Sequence, residues 1–585
     1  MALRTRLLLV LVAAAACSRK ASDDPAPPAL QAIAHVSELD ARWSFDDTSH
    51  LLAVARETGA PGLLLIDTTG KASPREVAVK GRWPNHPILS RGAVWIAFQD
   101  RPLGDGKPSL YLVDSRTGAQ RTLFSSSLEN FYREAASFSP GGEELLFEIR
   151  KDNATGFDDV LVVADLASGT PRELLRLPSL VSGPVWGNDG FIYFHTETSL
   201  MRIAVNGGVP ETLATIPNAK EARGGGSVAL ASSAAFAAFT VELDDCPHVA
   251  IVGLDSRHEV RLLDCGFSPV WSASKPEELL YIAYPSDGSR VPRVVNLQTN
   301  QQQTLGFDPG VTAAIASDSS GAVFVLTTQP GIPRSAWRID PASNKHEPLL
   351  GPSMPPAESD LLARWVVKAR DGVTIPVLAF RSTCPQALHA PVILFLHGGQ
   401  QGKDETPPRF MREIAYLNRA GAIVVAPNVR NSIGYGVKYR ELPYSLKGQM
   451  SDLETVVDDL QRRPDYVGRK LFVFAISSSS TLEAAFMSTH PGRLAGAVNW
   501  VSQPDDLLTA GPLEGLPPML WLSGRNEKGA LKFPDVASSL HERGMRIRHV
   551  VVNDDHTFRS AEAIADALDQ VRRFLLENAT LDCGR

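Results

Sequence analysis

The chain has no long basic block. Its 58 lysines and arginines stand against 65 acidic residues, for a net charge of −7, which leaves no electrostatic footprint for nucleic acid and excludes it as a partner. There is no H-E-x-x-H pair and the 13 histidines are scattered, so no metal set is visible. A glycine-rich nucleotide loop is also missing, and no cofactor is expected. Cysteine is scarce, at five residues in 585. After Cys17, the even set of Cys246, Cys265, Cys384 and Cys583 permits two disulfides in an exported chain. The simplest pairing keeps each bridge within one domain, Cys246 with Cys265 and Cys384 with Cys583, and free buried thiols are the alternative. What remains is ordinary globular composition, 44% apolar and 21% charged. At this length one hydrophobic core does not suffice, and two or more domains are expected.

The first residues carry an address. Arg4 and Arg6 precede the apolar run Leu7 to Ala16, which is too short for a permanent transmembrane helix and reads as a signal peptide over residues 1–16. It ends in Ala14, Ala15, Ala16 and Cys17, similar to the bacterial lipobox, where cleavage leaves the cysteine as the lipid-bearing first residue. An ordinary cut after the A-x-A pattern is the alternative. Ser18 follows, where an aspartate would favour inner-membrane retention, so outer-membrane sorting is allowed. Residues 17–35, polar and proline-rich over Asp23 to Pro28, then read as a lipid-anchored linker. The expected location is the bacterial cell envelope, with the lipid as the membrane contact.

Over residues 36–350 a weak unit recurs, an aromatic and a turn residue followed by a short β-rich run. It appears as Trp43-Ser44 before Leu51, Phe138-Ser139-Pro140-Gly141-Gly142 before Leu145, Trp186-Gly187-Asn188-Asp189-Gly190 before Phe191, and Trp271-Ser272 before Leu279. Degenerate copies lie near Trp83, Val228 and Ile315. Strands ending in aspartate turns, at Asp67, Asp114, Asp165 and Asp340, accompany them and would join adjacent strands of one sheet. About seven units of this kind close naturally into a β-propeller, and a pair of open β-sandwiches is the alternative.

Gly351 to Ser359, with three prolines, marks a boundary. Over residues 351–585 apolar runs (Val392 to Leu396, Ala422 to Ala426, Leu471 to Ile476, Ala495 to Val501, Met519 to Leu522, Ile547 to Val552) alternate with helical patterns. Those patterns fall near Arg409 to Arg419, Asp452 to Arg462, Pro534 to Arg543 and Ala561 to Asn578. The alternation predicts a mostly parallel, doubly wound sheet whose site lies at the C-terminal strand ends.

At one such end, Ser477 to Ser480 separate the run at Leu471 from a helical stretch at Leu482 to His490. A strand, a sharp turn bearing serine and a helix are how α/β-hydrolases present a nucleophile. Centring the turn on Ser477 puts the small residues Ala475 and Ser479 in the two slots where glycines are usual. Centring it on Ser479 puts Ser477 and the β-branched Thr481 there, a worse fit that leaves Ser479 as the runner-up.

Around this turn, His397-Gly398-Gly399, then Asn428-Val429-Arg430-Asn431-Ser432-Ile433-Gly434-Tyr435-Gly436, then Gly448 and Asp452 resemble the conserved segments of the prolyl oligopeptidase family of serine peptidases. The upstream repeats are similar to the TolB-like propellers that precede such domains. The resemblance covers the whole C-terminal domain. It implies an α/β-hydrolase with Ser477 as nucleophile, Glu527 (in Gly524-Arg525-Asn526-Glu527) as acid and His556 as base. It also implies an oxyanion and substrate-binding set made of Gly398, Gly399, the Ser478 N–H, Arg430 and Tyr435. Four departures stand out: the glycine-free elbow, Glu527 in place of aspartate, Gln400 beside the oxyanion loop, and a span of only about 50 residues from Ser477 to Glu527 that removes a stretch which usually lines the pocket. The expectation is a lipid-anchored serine hydrolase acting on short peptides or small acyl substrates. An inert scaffold of the same architecture and a non-peptide esterase are the alternatives.

Overall fold

The computed structural model describes Ala26, Leu30, Gln31 and most of the chain from 38 to 581, apart from short segments of which the longest are 101–107, 222–226, 285–289, 351–360, 382–388 and 400–410. Cys17, Cys384 and Cys583, and with them the expected anchor and second disulfide, lie outside the described residues.

The upstream repeats form antiparallel sheets. Five are four-stranded, beginning at Glu38–Phe45, Pro84–Leu89, Asn130–Phe138, Ser182–Trp186 and Val311–Ser317, and one has eight strands. In each four-stranded sheet the strands follow chain order, and apolar side chains fill the spaces between successive sheets. Leu65 and Val77 of the first pack with Ile96 and Phe98 of the second, and Leu112 of the second with Phe138 and Leu145 of the third. Ile66 of the first sheet packs with Leu326 and Ala336 of the last, which closes the ring. The result is a propeller, not a pair of sandwiches.

Two of the aromatic markers fall where a strand ends. Trp186 closes Ser182–Trp186, and Trp271 closes the 12-residue strand Val260–Trp271. The aspartate turns lead into the outermost strands of four sheets, Arg75–Val77, Gln120–Ser125, Pro171–Leu177 and Lys345–Leu350, which are more exposed than the inner strands. Asp67 accepts the Thr69 N–H at 2.8 Å, Asp114 those of Arg116 and Thr117 at 2.8 and 3.0 Å, and Asp340 that of Ala342 at 3.0 Å. Such side chains replace the backbone partners a tight turn loses. The eight-stranded sheet arises because Val260–Trp271 pairs with Pro247–Gly253 along its first part and with Glu278–Ala283 along its second. Cys246 and Cys265 form a disulfide across this sheet, with their Cα atoms 5.6 Å apart.

The C-terminal sheet has eight strands, ordered Leu361–Lys368, Thr374–Arg381, Ile423–Pro427, Val392–Leu396, Leu471–Ile476, Gly496–Trp500, Met519–Gly524 and Ile547–Val552. The last six are mutually parallel. The first two pair antiparallel and were not anticipated from the sequence. Their solvent-facing residues, such as the exposed Val366, break the uniformly apolar pattern by which the parallel strands were read.

Neighbouring residues on each strand face opposite cores. Phe395 and Phe474 pack with Ile414 and Leu568 of the helices Met411–Arg419 and Ala561–Asn578. Leu394 and Val473 pack with Val456, Phe486 and Leu540 of Leu446–Arg462, Ser480–Thr489 and Phe533–Glu542. The domain is therefore a mostly parallel α/β-hydrolase sheet with helices on both faces. Ala26 and Leu30, inside the stretch expected to be linker, are buried in the first of these cores.

Among the described residues the two domains touch where the helix Met411–Arg419 meets the propeller strand Ile332–Asp340, and through the hydrolase segment following the Asn428 loop. Glu242 and Arg440 form a buried ion pair, Lys220 pairs with Glu441, and the Val437 N–H donates to the Leu243 carbonyl at 3.1 Å. Tyr284 of the propeller meets Tyr435 edge-on, with ring centroids 6.4 Å apart.

Candidate active site

The strand Leu471–Ile476 ends and a helix begins without a connecting loop. Ser477–Ser479 make one 3-10 turn that runs directly into Ser480–Thr489. Ser477 takes the whole strain of that reversal, with φ +51°, a region non-glycine residues enter rarely and at a cost of about 1–3 kcal/mol. The two slots usually given to glycine need no unusual backbone. Ala475 lies fully buried in the strand, opposite Leu396 and Asn499, and Ser479 has φ −72° and ψ −8°. The absence of glycine is therefore compatible with a sharp elbow.

The strained turn lifts the Ser477 hydroxyl to 2.8 Å from Nε2 of His556. Nδ1 of His556 is 2.6 Å from Oε1 of Glu527. An ionised carboxylate only accepts, so Nδ1 carries the hydrogen and the lone pair on Nε2 faces the serine hydroxyl. Glu527 is buried, and its second oxygen accepts the Gly524 N–H at 3.2 Å. Half of the His556 side chain is exposed, so the relay runs from a buried acid to an accessible imidazole and serine.

Two backbone features hold these loops together. A Cβ on Gly524 would lie 2.5 Å from the Asp555 carbonyl oxygen, so only glycine lets the acid loop press against the histidine loop. The histidine loop is fastened to the helix Ala561–Asn578 by the buried Asp554, which accepts from the N–H and hydroxyl of Ser560 at 2.9 and 3.0 Å.

Ser479, the runner-up, donates its hydroxyl to the carbonyl of His397. Among the described residues Ser477 is the serine hydrogen-bonded to His556. Gly398 lies directly against the elbow, where an added Cβ would be 3.1 Å from the Ile476 carbonyl and 3.2 Å from the Ser477 Cβ, and Gly399 follows it. The Ser478 N–H opens the 3-10 turn, where the first N–H groups have no partner inside the helix. The His397 ring sits between the Gly398 carbonyl, 2.8 Å from Nδ1, and the Ser432 hydroxyl, 2.9 Å from Nε2.

Arg430 does not present itself to a substrate. Its guanidinium grips the fully buried Asp452 at 3.0 and 2.6 Å and Asp371 at 2.8 Å, and Asp452 holds it well above the usual guanidinium range. It anchors the Asn428 loop instead. Tyr435 accepts the Asn428 side-chain N–H at 2.7 Å, and burial pushes its phenol up to about 12, so it keeps its proton at neutral pH. The sequence reading missed Ser432, Gly524 as a contact residue, and the link from Ser479 to His397. Ser432 and Gly524 lie inside motifs it had singled out.

Glu483 lies fully buried in the helix behind the elbow, and Oε2 accepts the Asn499 side-chain N–H at 3.0 Å. Burial pushes its carboxyl well above 4.5. From that ordinary value up to its raised one, the folded chain keeps a proton that the unfolded chain has lost, so stability falls as pH rises through the window. Glu483→Gln carries no titrating proton. Its melting temperature should fall less than the wild type's from about pH 5 to 8, and parallel curves in calorimetry would show that Glu483 does not hold that proton.

No protein-family model matches the sequence, and no curated protein does. Solved structures do. A puromycin-hydrolyzing peptidase of Mycobacterium tuberculosis superposes with a TM-score of 0.73 at 15% identity, over 96% of this chain and 97% of that one. A prolyl endopeptidase gives 0.71 at 13%, over 98% and 95%. The acylaminoacyl peptidase of Pyrococcus horikoshii gives 0.64 at 11%, over 93% and 96%. Likeness at these identities, along the full length of both chains, establishes the fold: a propeller followed by an α/β-hydrolase domain.

Proposed function

We propose that this protein is a serine hydrolase of the prolyl oligopeptidase type that cleaves short peptides through an acyl-enzyme. The observation that carries the reading is the hydrogen-bonded relay Ser477–His556–Glu527, in the chain order of α/β-hydrolases and at the C-terminal ends of three parallel strands. The solved structures of this fold are described as peptidases or as a puromycin hydrolase, which agrees with it.

In this mechanism Ser477 Oγ attacks the scissile carbonyl carbon while its proton passes to His556 Nε2. Glu527 keeps the imidazole in the required tautomer and stabilises the imidazolium. The carbonyl oxygen takes up the electron pair and is met by the Ser478 N–H and the Gly398–Gly399 loop. As the tetrahedral adduct collapses, the C–N bond breaks and His556 returns the proton to the leaving amine. Water then attacks the acyl-serine, giving its proton to His556, and Ser477 is regenerated with release of the carboxylate.

The propeller supplies seven blades in this reading, the eight-stranded sheet being two that share Val260–Trp271. Closed over the site, the ring restricts entry to short chains. Residues 1–16 are the signal and Cys17 the lipid-bearing residue, which anchors the enzyme in the bacterial cell envelope.

A fluorophosphonate probe followed by peptide mass mapping tests the reading. The adduct is expected on Ser477, with none on Ser479. Complete absence of labelling of folded protein would leave an inert scaffold of hydrolase ancestry. Comparing acyl esters with short peptides on the labelled enzyme separates an esterase from a peptidase.

A further inference from the structure

The residue in the elbow's second glycine slot makes a contact that glycine could not. Ser479 donates its hydroxyl to the carbonyl of His397, bridging the nucleophile turn to the loop that follows Val392–Leu396. A trans peptide is planar, with C=O and N–H pointing in opposite directions, so fixing the His397 carbonyl also fixes the direction of the Gly398 N–H. The next peptide plane is fixed in the same way. The Gly398 carbonyl lies 2.8 Å from Nδ1 of His397, which sets the direction of the Gly399 N–H. The ring that makes this contact is held from its other side by the Ser432 hydroxyl at 2.9 Å, itself 2.7 Å from the Val429 carbonyl. Gly399, with φ +88°, would otherwise be the freest part of the loop.

We infer that Ser479 is a positioning residue, aiming the N–H groups of the Gly398–Gly399 loop at the oxyanion through the His397 carbonyl. The inference rests on the serine hydrolase reading above. Oxyanion donors act through orientation set before the reaction begins, and a loop of two consecutive glycines has little orientation of its own. In this chain the loop's rigidity comes from two side chains, Ser479 and His397. The backbone at Ser479 is ordinary helix, so its side chain, and not conformational permissiveness, is what the position contributes.

Two variants of the full chain separate hydroxyl from packing. Ser479→Ala keeps the Cβ and loses the donor, and Ser479→Gly restores the glycine usual at such elbows. Both should lower kcat about 10- to 100-fold with KM within about twofold, since a misaimed donor weakens the transition state and not the ground state. Both should also show faster amide hydrogen exchange at Gly398 and Gly399 at unchanged melting temperature. Wild-type kcat in either folded variant would overturn the inference while leaving the hydrolase reading intact. An unchanged exchange rate at both glycines would overturn it as well. A wild-type protein with neither turnover nor fluorophosphonate labelling would remove the hydrolase reading, and this inference with it.

Discussion

Ser477→Ala should lower turnover of a chromogenic peptide or ester by about a millionfold, His556→Ala by about as much, and the double variant no further. The reason is the geometry of the relay. The two groups share one proton across 2.8 Å, so removing either abolishes the same event. Steady-state assays with enough enzyme to reach the residual rate will show whether the losses coincide or multiply. Multiplying losses would mean that the imidazole serves some other group, and a Ser477→Ala variant retaining more than about one per cent of the activity would dismiss Ser477 as nucleophile.

The second large effect comes from a residue that touches no substrate. A methyl group on Gly524 would meet the Asp555 carbonyl oxygen at 2.5 Å, its carbon at 2.6 Å and the Asp554 oxygen at 2.8 Å. These are backbone atoms, and Asp554 is itself tied to the start of the helix Ala561–Asn578, so neither loop yields cheaply. Gly524→Ala should therefore separate Glu527 from His556. A displacement of about 1 Å at such a contact costs roughly a hundredfold in rate, with about 1–3 kcal/mol of stability lost to the overlap. The expected signature is a loss of kcat and of labelling rate together with a lowered melting temperature. Gly492→Ala, where an added Cβ meets nothing within 4 Å, is the control that should change neither. Full activity in Gly524→Ala would show that the two loops do not depend on this contact.

The parts of this molecule legible in the sequence are those fixed by short-range pattern. Leu471–Ile476 is a fully buried strand and Ile547–Val552 a partly exposed edge strand, and the ends of each were readable because the runs stop where turn residues begin. The markers at Trp186 and Trp271 fell at the ends of strands, where the chain enters a turn. Ser477, Glu527 and His556 were named from the resemblance of their motifs to a peptidase family, together with their place after strands and their order, and the structure brings their side chains into one hydrogen-bonded row. What stayed hidden depends on contacts distant in sequence. Nothing local in Ser477 to Ser480 announces that Ser479 reaches a carbonyl 82 residues away. A glutamate in a helix reads as solvated, yet Glu483 is sealed behind the elbow. Arg430 was expected among the substrate-binding residues from the resemblance of its motif, and only tertiary structure reveals that Asp452 and Asp371 pair with its guanidinium.

The Cys246–Cys265 bridge fastens the turn that follows Glu242 to the neighbouring strand. Glu242, at the end of the strand entering that turn, makes the ion pair to Arg440, and Leu243 makes the backbone contact to Val437. Recombinant production in a reducing cytosol would omit this brace and deliver molecules whose two halves meet less firmly. Material intended for kinetics is best routed through an oxidising compartment, and a thiol count should accompany every preparation before its specific activity is compared with another's.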